Sequence, residues 1–330
     1  MGCTDLQGRV VPDSTIFRKA DSIAAFYHGH SLKNLKLLSD KLTATLSTEK
    51  EKFRVIYKWV CDNIDNDYAL NVKNQQKRAQ LKDETSLIAW NRKANEQAFR
   101  NLIEQKKTVC TGYAYLVREL ALQAGLTCKI VDGYGRTVQA NIGGKGMANH
   151  SWNAVRLDGQ WYLCDATWSS GACDARSGVF IRNFNEAYFL ADPAMFVRNH
   201  YPLDSVWMLL RDKPALETFL KGPLVYVSAF NYGMEPLLPA TFEVAVAKGE
   251  DVSFQFIKRG GRATGKVTFR VDGVRTSDVP DRRLCRDGRT QYTIKHRFTR
   301  RGTFAVHIIP DDALGDGGGN PAFTYRVTVR

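Results

Sequence analysis

The sequence predicts an α+β fold: N-terminal helices, a mixed core of helices and strands, and a C-terminal antiparallel, immunoglobulin-like β-sandwich. Two observations predict it. A helical pattern over 112–124 is followed by strand-like alternation over 126–134, 149–157 and 160–168. Further on, short alternating runs recur between turn residues, which is typical of a sandwich. These runs cover 224–229, 241–247, 252–257, 265–271, 290–298, 303–309 and 323–329.

The chain length predicts more than one domain, because 330 residues exceed what a single compact core usually holds. Pro214 and the Gly222-Pro223 pair indicate a boundary. We therefore expect N-terminal helices packing on the core over 1–46, the core domain over 47–215 and the sandwich over 223–330. The sandwich lacks a Cys…Trp…Cys signature, so it is not expected to be an antibody-type domain.

The composition is that of a globular protein with a basic surface. A net charge of +13 suits nucleic acid, a membrane surface or an acidic polymer. However, the basic residues are scattered among acidic ones, and those over 73–82 have no aromatic residues between them to stack on bases. We therefore expect no nucleic-acid partner. No run approaches 18 apolar residues, so no transmembrane helix is expected.

The cysteines indicate thiol chemistry rather than metal binding. They show no CxxC pair and no regular spacing with histidines, so we expect neither a metal nor another cofactor. A chain of this size also needs no disulfide framework. Buried free thiols and one reactive thiol are therefore expected among the seven: Cys3, Cys61, Cys110, Cys128, Cys164, Cys173 and Cys285.

The N-terminus allows two interpretations. The Gly2-Cys3 pair is similar to the junction at which bacterial lipoproteins are cleaved, which would place a lipid on Cys3 and the chain in the cell envelope, periplasmic or at the surface. Leu6 stands where N-myristoylation needs Ser or Thr, which disfavours that modification. The other interpretation is an ordinary cytoplasmic N-terminus. We favour the envelope.

The first hundred residues are predicted to be mainly helical. Residues 1–13 are a polar lead-in, and Asp13 and Ser14 are possible caps for a helix over 15–27. Apolar spacing predicts a second helix over 32–46, and a further helix is expected over 84–105. The polar, basic stretch 65–83 lacks a clear apolar face, and we interpret it as a loop.

A helix over about 49–64 is predicted to pack on the core, because its apolar residues recur at helical spacing. Two capping arrangements precede it. Either Ser47 is the cap, with Lys50 where Glu would be preferred, or Thr48 pairs with Glu51.

A cysteine, a histidine and an aspartate follow in the order of a thiol nucleophile, its base and an orienting acid. Cys110 begins the helix over 112–124, where the first-turn N–H groups and the helix dipole favour a thiolate. Gly125 is expected to end that helix. The glycine-rich loop 135–148 precedes His150, and it is either a mobile lip over a substrate groove or a plain connection.

Asp158-Gly159 lies between two alternating runs, which is a strong signal for a hairpin with a two-residue turn. Such a turn makes Leu157 face Gln160 and thereby fixes the register of both strands, 149–157 and 160–168.

In this register Trp152 faces Asp165 and His150 faces Thr167. Facing residues point to one side of a sheet, as do residues two apart on one strand. His150 and Asp165 are therefore expected to be diagonal neighbours, within reach of a carboxylate–imidazole contact. Cys164 points the other way and is expected to be a core thiol.

These motifs resemble the transglutaminase-like superfamily of papain-like thiol enzymes, and within it the kyphoscoliosis peptidase-like branch, with a bacterial member expected. The resemblance covers about residues 47–210 and is specific in three motifs. They are Val109-Cys110-Thr111-Gly112-Tyr113-Ala114, the run 149–155, and Cys164-Asp165-Ala166-Thr167-Trp168.

The resemblance implies that Cys110 is the nucleophile, His150 the general base and acid, and Asp165 the group that orients the histidine. Gln105 is a weak candidate for the oxyanion-hole side chain, and the backbone N–H of Cys110 is the more general one.

The resemblance also implies a papain- or transglutaminase-like core without metal or cofactor. Trp152 and Trp168 are expected to line the substrate groove. His200 matches a family position outside the triad and is expected to be structural.

The implied function is that of a thiol-dependent hydrolase or acyl-transferase acting on amide bonds of proteins or peptides through a thioester. Water as the acceptor gives a cysteine peptidase, which we favour, whereas an amine gives a transglutaminase-type crosslinking enzyme. The same fold can also serve as a non-catalytic scaffold. The expected partner is a protein or peptide substrate, and the oligomeric state does not follow from the sequence.

Overall fold

A computed structural model describes residues 16–81, 83–144, 146–174, 176–259, 266–311 and 319–330. The polar lead-in and Cys3 lie outside the described residues. Within the described part, helices and mainly antiparallel strands combine in an α+β fold. None of the described helices is both long and apolar enough to cross a lipid bilayer.

Six helices and two short strands form the N-terminal part. In chain order they are α1 (Arg18–Phe26), α2 (Leu35–Thr43), α3 (Glu49–Asn63), β1 (Asp65–Asn66), α4 (Tyr68–Gln80), α5 (Glu84–Gln105), β2 (Lys107–Thr108) and α6 (Cys110–Gln123). The buried faces of α1, α2, α3 and α6 share one apolar cluster with the central sheet. The helices predicted over 15–27 and 32–46 are confirmed but are a few residues shorter at their ends, and the helix predicted over 84–105 has the predicted bounds.

Helix α3 begins with the second of the two predicted caps. The Thr48 side chain accepts a hydrogen bond from the backbone N–H of Glu51, and the Glu51 carboxylate accepts one from the backbone N–H of Thr48. This reciprocal pair satisfies two donors that a helix start otherwise leaves unpaired. Ser47 is not the cap.

The interpretation of residues 65–83 as a loop is wrong, because most of this stretch forms α4. The Asp67 side chain caps the helix by accepting from the backbone N–H of Leu70 at 3.1 Å. Leu70 and Asn74 form the narrow buried face of α4, which packs on α5. A helix with so small a buried face gives little apolar periodicity, which is why the pattern is weak.

The central sheet has four antiparallel strands in the order β5-β4-β3-β8. They are β3 (Thr127–Gly135), β4 (His150–Leu157), β5 (Gln160–Cys164) and β8 (His200–Pro202). Between β5 and β8 lie α7 (Ala166–Ser170), the hairpin β6 (Gly171–Cys173) and β7 (Phe180–Arg182), a 3₁₀ turn (Glu186–Tyr188) and α8 (Pro193–Phe196), and a second 3₁₀ turn (Ser205–Met208) follows β8.

The hairpin register is confirmed, because Leu157 pairs with Gln160 and Asn153 with Cys164. The second strand is nevertheless shorter than predicted. It ends at Cys164, since Asp165 caps α7 with its side chain. Thr167 therefore lies in a helix and does not face His150 across a strand pair.

The C-terminal part contains two stacked sheets preceded by short helices. The elements are α9 (Leu216–Lys221), β9 (Leu224–Val225), α10 (Val227–Tyr232), β10 (Met234–Leu238), β11 (Glu243–Val246), β12 (Asp251–Lys258), β13 (Lys266–Val271), β14 (Val274–Arg275), β15 (Asp281–Leu284), β16 (Thr290–Arg297), β17 (Gly302–Asp311) and β18 (Phe323–Val329). One sheet has the order β10-β12-β16-β15, and the other has β11-β18-β17-β13-β14 with β9 beside β18.

The two sheets bury aromatic side chains against each other. The ring of Phe254 on β12 lies 5.1 Å from that of Phe269 and 5.2 Å from that of Tyr325 on the opposite sheet. Two details differ from the prediction. The expected strand over 224–229 is short β9 followed by α10, and β11 pairs with β18 in parallel.

Arg54 joins three segments at the back of the core. Its guanidinium is only 2% exposed and pairs with Asp21 of α1 at 2.6 Å and with Glu186. The two carboxylates are 30% and 44% exposed, so water still reaches them.

We expect Arg54→Leu to lower the free energy of unfolding by about 2–3 kcal/mol, because it removes the buried partner of two carboxylates. The control is Arg92→Leu, whose exposed pair with Glu96 spans 3.7 Å and contributes at most about 0.5 kcal/mol. Urea unfolding of both variants measures the difference, and equal losses would contradict this role of Arg54.

Candidate active site

Cys110 is the first residue of α6 and is partly exposed in a cleft of about 380 Å³. The residue before it, Val109, makes no side-chain capping hydrogen bond. The N–H groups of the first helical turn are therefore free of a side-chain cap beside the sulfur. A helix start of this kind favours a thiolate.

His150 and Asp165 meet at the open end of the hairpin, where β4 begins and β5 has just ended. His150 Nε2 lies 2.7 Å from Asp165 Oδ2. The other carboxylate oxygen accepts from the backbone N–H groups of Thr167 at 2.8 Å and Trp168 at 3.4 Å. The helix that Asp165 caps thus fixes the carboxylate, and the carboxylate fixes the imidazole.

A second imidazole contacts the same carboxylate oxygen. His200 Nε2 lies 3.1 Å from Asp165 Oδ2, and its Nδ1 lies 2.6 Å from the Asn199 carboxamide oxygen. The ring stacks on Phe196 at 4.0 Å and is fully enclosed. Burial is the main cause that lowers the pKa of His200 to about 4. Near neutral pH the ring is therefore uncharged.

The electrostatics favour a thiolate–imidazolium pair. Burial raises the pKa of the Cys110 thiol, but the hydrogen bond and charge of His150, with the backbone N–H of Ser151, outweigh it and lower the pKa. Burial lowers the pKa of His150, yet the charge and hydrogen bond of Asp165 raise it well above its ordinary value. Because Nε2 is engaged by Asp165, Nδ1 is the nitrogen left for the sulfur.

Asp165 stays ionised although it is only 1% exposed. Burial raises the pKa of its carboxyl group, but His150 and then His200 outweigh that effect and hold the pKa well below its usual range. Both imidazoles interact with the carboxylate of Asp165, and each interaction stabilises its negative charge.

Two glycines let the elements around the site approach closely. A Cβ on Gly135 would lie 2.9 Å from Cβ of His150, and a Cβ on Gly112 would lie 2.0 Å from Oγ1 of Thr108. Neither gap accommodates a methyl group. Glycine at these positions therefore allows β3 to pass under His150 and α6 to pack on β2.

His150, Asp165 and His200 also form the kind of group that can hold a metal, with donor atoms within 4.8 Å of one another. Tetrahedral zinc at about 2.0–2.1 Å from each ligand keeps ligand atoms roughly 3.3 Å apart. His150 Nε2 and Asp165 Oδ2 are closer than this, at the distance of a direct hydrogen bond. The donor set therefore fits a hydrogen-bonded group better than a metal site.

The predicted groove residues fall in different places. Trp168 lines the cleft, with its ring 5.0 Å from that of His150. Trp152 does not line it, because it is 1% exposed and packs with Phe196 beneath the histidine. Gln105 is also not brought to the cleft: it ends α5 with an exposed side chain, which leaves the backbone N–H of Cys110 as the oxyanion donor candidate.

Sequence reasoning missed two contributions to this site. His200 was expected to be structural, but its nitrogen contacts Asp165. Tyr68, Asn71 and Gln75 of α4 line the cleft, although their stretch was interpreted as a loop. A signal for α4 was present in the capping residue Asp67 and in the buried positions that follow it at helical spacing.

Comparison with known proteins gives the class of this chain. Residues 36–166 match the family model described as "Transglutaminase-like superfamily", and the chain belongs to this superfamily.

Relatives narrow the branch. The chain is 31% identical to Kyphoscoliosis peptidase of Mus musculus over 281 residues, which is 81% of this chain and 39% of that protein. For the Homo sapiens protein the identity is 31%, covering 74% of this chain and 36% of the relative. Hillarin of Drosophila melanogaster is 25% identical over 68% of this chain and 27% of its own length. The chain lies in the kyphoscoliosis peptidase-like branch and spans less than two fifths of the length of these relatives.

Proposed function

We propose that this protein transfers acyl groups from amide bonds of proteins or peptides to water or to an amine, with Cys110 as the nucleophile. The observation that carries this proposal is the joint geometry of three side chains. A thiol at an uncapped helix start shares a cleft with an imidazole that lowers the pKa of the thiol, and a buried carboxylate 2.7 Å away orients that imidazole. A protein used only as a scaffold has no need of such an arrangement.

In the first step the Cys110 thiolate attacks the carbonyl carbon of the amide. The oxyanion that forms is stabilised by the N–H of Cys110 at the start of α6. His150, as imidazolium, gives its proton to the nitrogen, the C–N bond breaks and an amine leaves. A thioester on Cys110 and a neutral imidazole remain.

In the second step an acceptor attacks the thioester carbon. His150 takes a proton from the attacking water or amine, and the C–S bond breaks. The products are a carboxylic acid or a new amide, together with the thiolate–imidazolium pair. Asp165 stabilises the imidazolium in both steps and keeps Nδ1 turned toward the sulfur.

Hydrolysis is the favoured outcome, so we propose a cysteine peptidase. Crosslinking by an amine uses the same residues and is the second candidate. We infer further that the C-terminal part is an immunoglobulin-like module that positions substrate. This is supported by Val227 at the start of α10, which lines the cleft, and by Phe230, whose ring lies 5.0 Å from that of Tyr188. Lipid on Cys3, an envelope location and a bacterial source stay predictions.

The test is covalent labelling with a peptide that carries a thiol-reactive group in place of the scissile amide. We expect one adduct by intact mass on the wild-type protein and none on Cys110→Ala. Cys173→Ala is the matched control, since Cys173 lines the same cleft but is not at the helix start, and burial raises the pKa of its thiol. Labelling that persists in Cys110→Ala, or that is lost in Cys173→Ala alone, would refute the role of Cys110.

A further inference from the structure

Apart from the Cys110–His150 pair, the described residues that line the cleft are uncharged, although the chain as a whole has a net charge of +13. Its walls are α4, the connection between β3 and β4, the β6–β7 hairpin and the start of α10. None of the described lining residues is Asp, Glu, Lys or Arg. A substrate side chain with a charge would therefore lose water in the cleft without gaining a partner of opposite charge.

Two charged residues beside these walls are paired with groups outside the cleft. Asp67, the cap of α4, accepts a hydrogen bond from Asn101 at 2.9 Å and lies 3.9 Å from Lys107. Arg182 at the end of β7 pairs with Asp65. Asp67 and Arg182 therefore add no unpaired charge to the cleft.

Helix α4 supplies three of the polar residues that line the cleft. Tyr68, Asn71 and Gln75 are spaced by three and four residues and lie on one face of the helix. Leu70 and Asn74 lie on a different face, which packs on α5. The face toward the cleft is therefore free of the packing that holds the helix in place.

The carboxamides on this face have no partner in the described part of the chain. Neither the Asn71 side-chain amide nor that of Gln75 makes a hydrogen bond with another described residue. Asn149 across the cleft differs, because its carboxamide bonds Gly135 N at 2.8 Å and is committed to the fold. A carboxamide offers one acceptor and two donors, which match the C=O and N–H groups of a peptide backbone.

We propose that Asn71 and Gln75 bind the main chain of an uncharged, extended polypeptide segment beside Cys110 and thereby determine which acyl donor is accepted. The inference rests on the proposed function and adds the substrate class to it. Apolar side chains on the facing walls, such as Phe180 and Val227, suit the neutral side chains of such a segment.

The experiment compares acetylated, amidated heptapeptides built from Ala, Val, Ser and Gln with the same peptides carrying one Lys or one Glu. Binding to the Cys110→Ala protein and turnover by the wild type are both measured. We expect the neutral peptides to be preferred. In Gln75→Glu the preference for Lys peptides over Glu peptides should rise about two- to fivefold, the effect of one partly exposed ion pair, and Gln75→Lys should reverse it.

Gln76→Glu and Gln76→Lys are the matched controls, because Gln76 is also exposed on α4 but does not line the cleft. They change the net charge by the same amount and should keep the wild-type preference. Asn71→Ala combined with Gln75→Ala should weaken binding of neutral peptides about tenfold, the loss of two hydrogen bonds.

Equal behaviour of the Gln75 and Gln76 variants, or no wild-type preference for neutral peptides, would overturn the inference. Peptide binding that depends on α4 without turnover by the wild type would instead refute the proposed function and leave only the peptide-binding role of α4 standing.

Discussion

His150→Ala is expected to lower kcat/KM for amide cleavage by at least about a thousandfold, because one side chain provides both the base and the acid. The variant should also lose the lowered pKa of the Cys110 thiol. Without the neighbouring imidazolium, burial dominates and raises the pKa above its ordinary value. The rate of alkylation by iodoacetamide, followed against pH, measures this second effect directly.

The pKa values of Cys110 and His150 set the acid and alkaline limbs of the activity profile, respectively. In the wild type the thiolate forms above the lowered pKa of Cys110, and the imidazolium is lost above the raised pKa of His150. Activity should therefore form a broad plateau through neutral pH that falls at both ends. In His150→Ala the midpoint for alkylation should move to higher pH.

The control is His296→Ala. His296 Nδ1 also lies 2.7 Å from a carboxylate, Asp278, but on the C-terminal sheets away from the cleft. Activity in this variant should stay within about twofold of the wild type, as for a substitution outside the site. An unchanged alkylation profile in His150→Ala would show that the histidine does not set the state of the thiol.

Asp165→Asn is expected to lower kcat/KM by about a hundredfold or more, while leaving the protein folded. The amide keeps an oxygen that can cap α7 but loses the charge that stabilises two imidazoles. Because Asp165 is what raises the pKa of His150, burial should then lower that pKa. The alkaline limb of the activity profile should move to lower pH.

Asp278→Asn is the matched control, since it alters a histidine–aspartate pair of the same length outside the cleft. Circular dichroism and urea unfolding establish that each variant is folded. If Asp165→Asn shows an unshifted alkaline limb at reduced rate, the carboxylate orients the ring without setting its charge.

Much of the site follows from the sequence because it depends on local geometry. A two-residue Asp-Gly turn fixes the strand pairing, and pairing places His150 and Asp165 on one side of the sheet. The sequence also predicts that Cys110 begins a helix, because the helical pattern starts beside it. The long helices with a wide apolar face are also predicted correctly, because their apolar periodicity is a local feature of the sequence.

The predictions that are wrong depend on contacts between distant residues. Trp152 alternates with His150 and so shares its side of the sheet, but α8 and β8 cover it, which the strand pattern does not reveal. Gln105 is near Cys110 in sequence, yet it is the last residue of α5 and its side chain is exposed to solvent. Helix α4 buries only a narrow face, so its apolar pattern is weak. Its contribution to the cleft depends on the distant segments that form the opposite wall.

Turns, caps and apolar periodicity are enough to predict that this protein combines helices with a mainly antiparallel sheet, and to place Cys110, His150 and Asp165 on these elements. Only the packing of distant segments brings Cys110 and His150 into one cleft, lets His200 share the carboxylate of Asp165, and places uncharged amides of α4 along the cleft wall. The physical reason is range: turns, caps and periodicity act over a few residues, whereas burial and electrostatic coupling depend on which distant segments pack together.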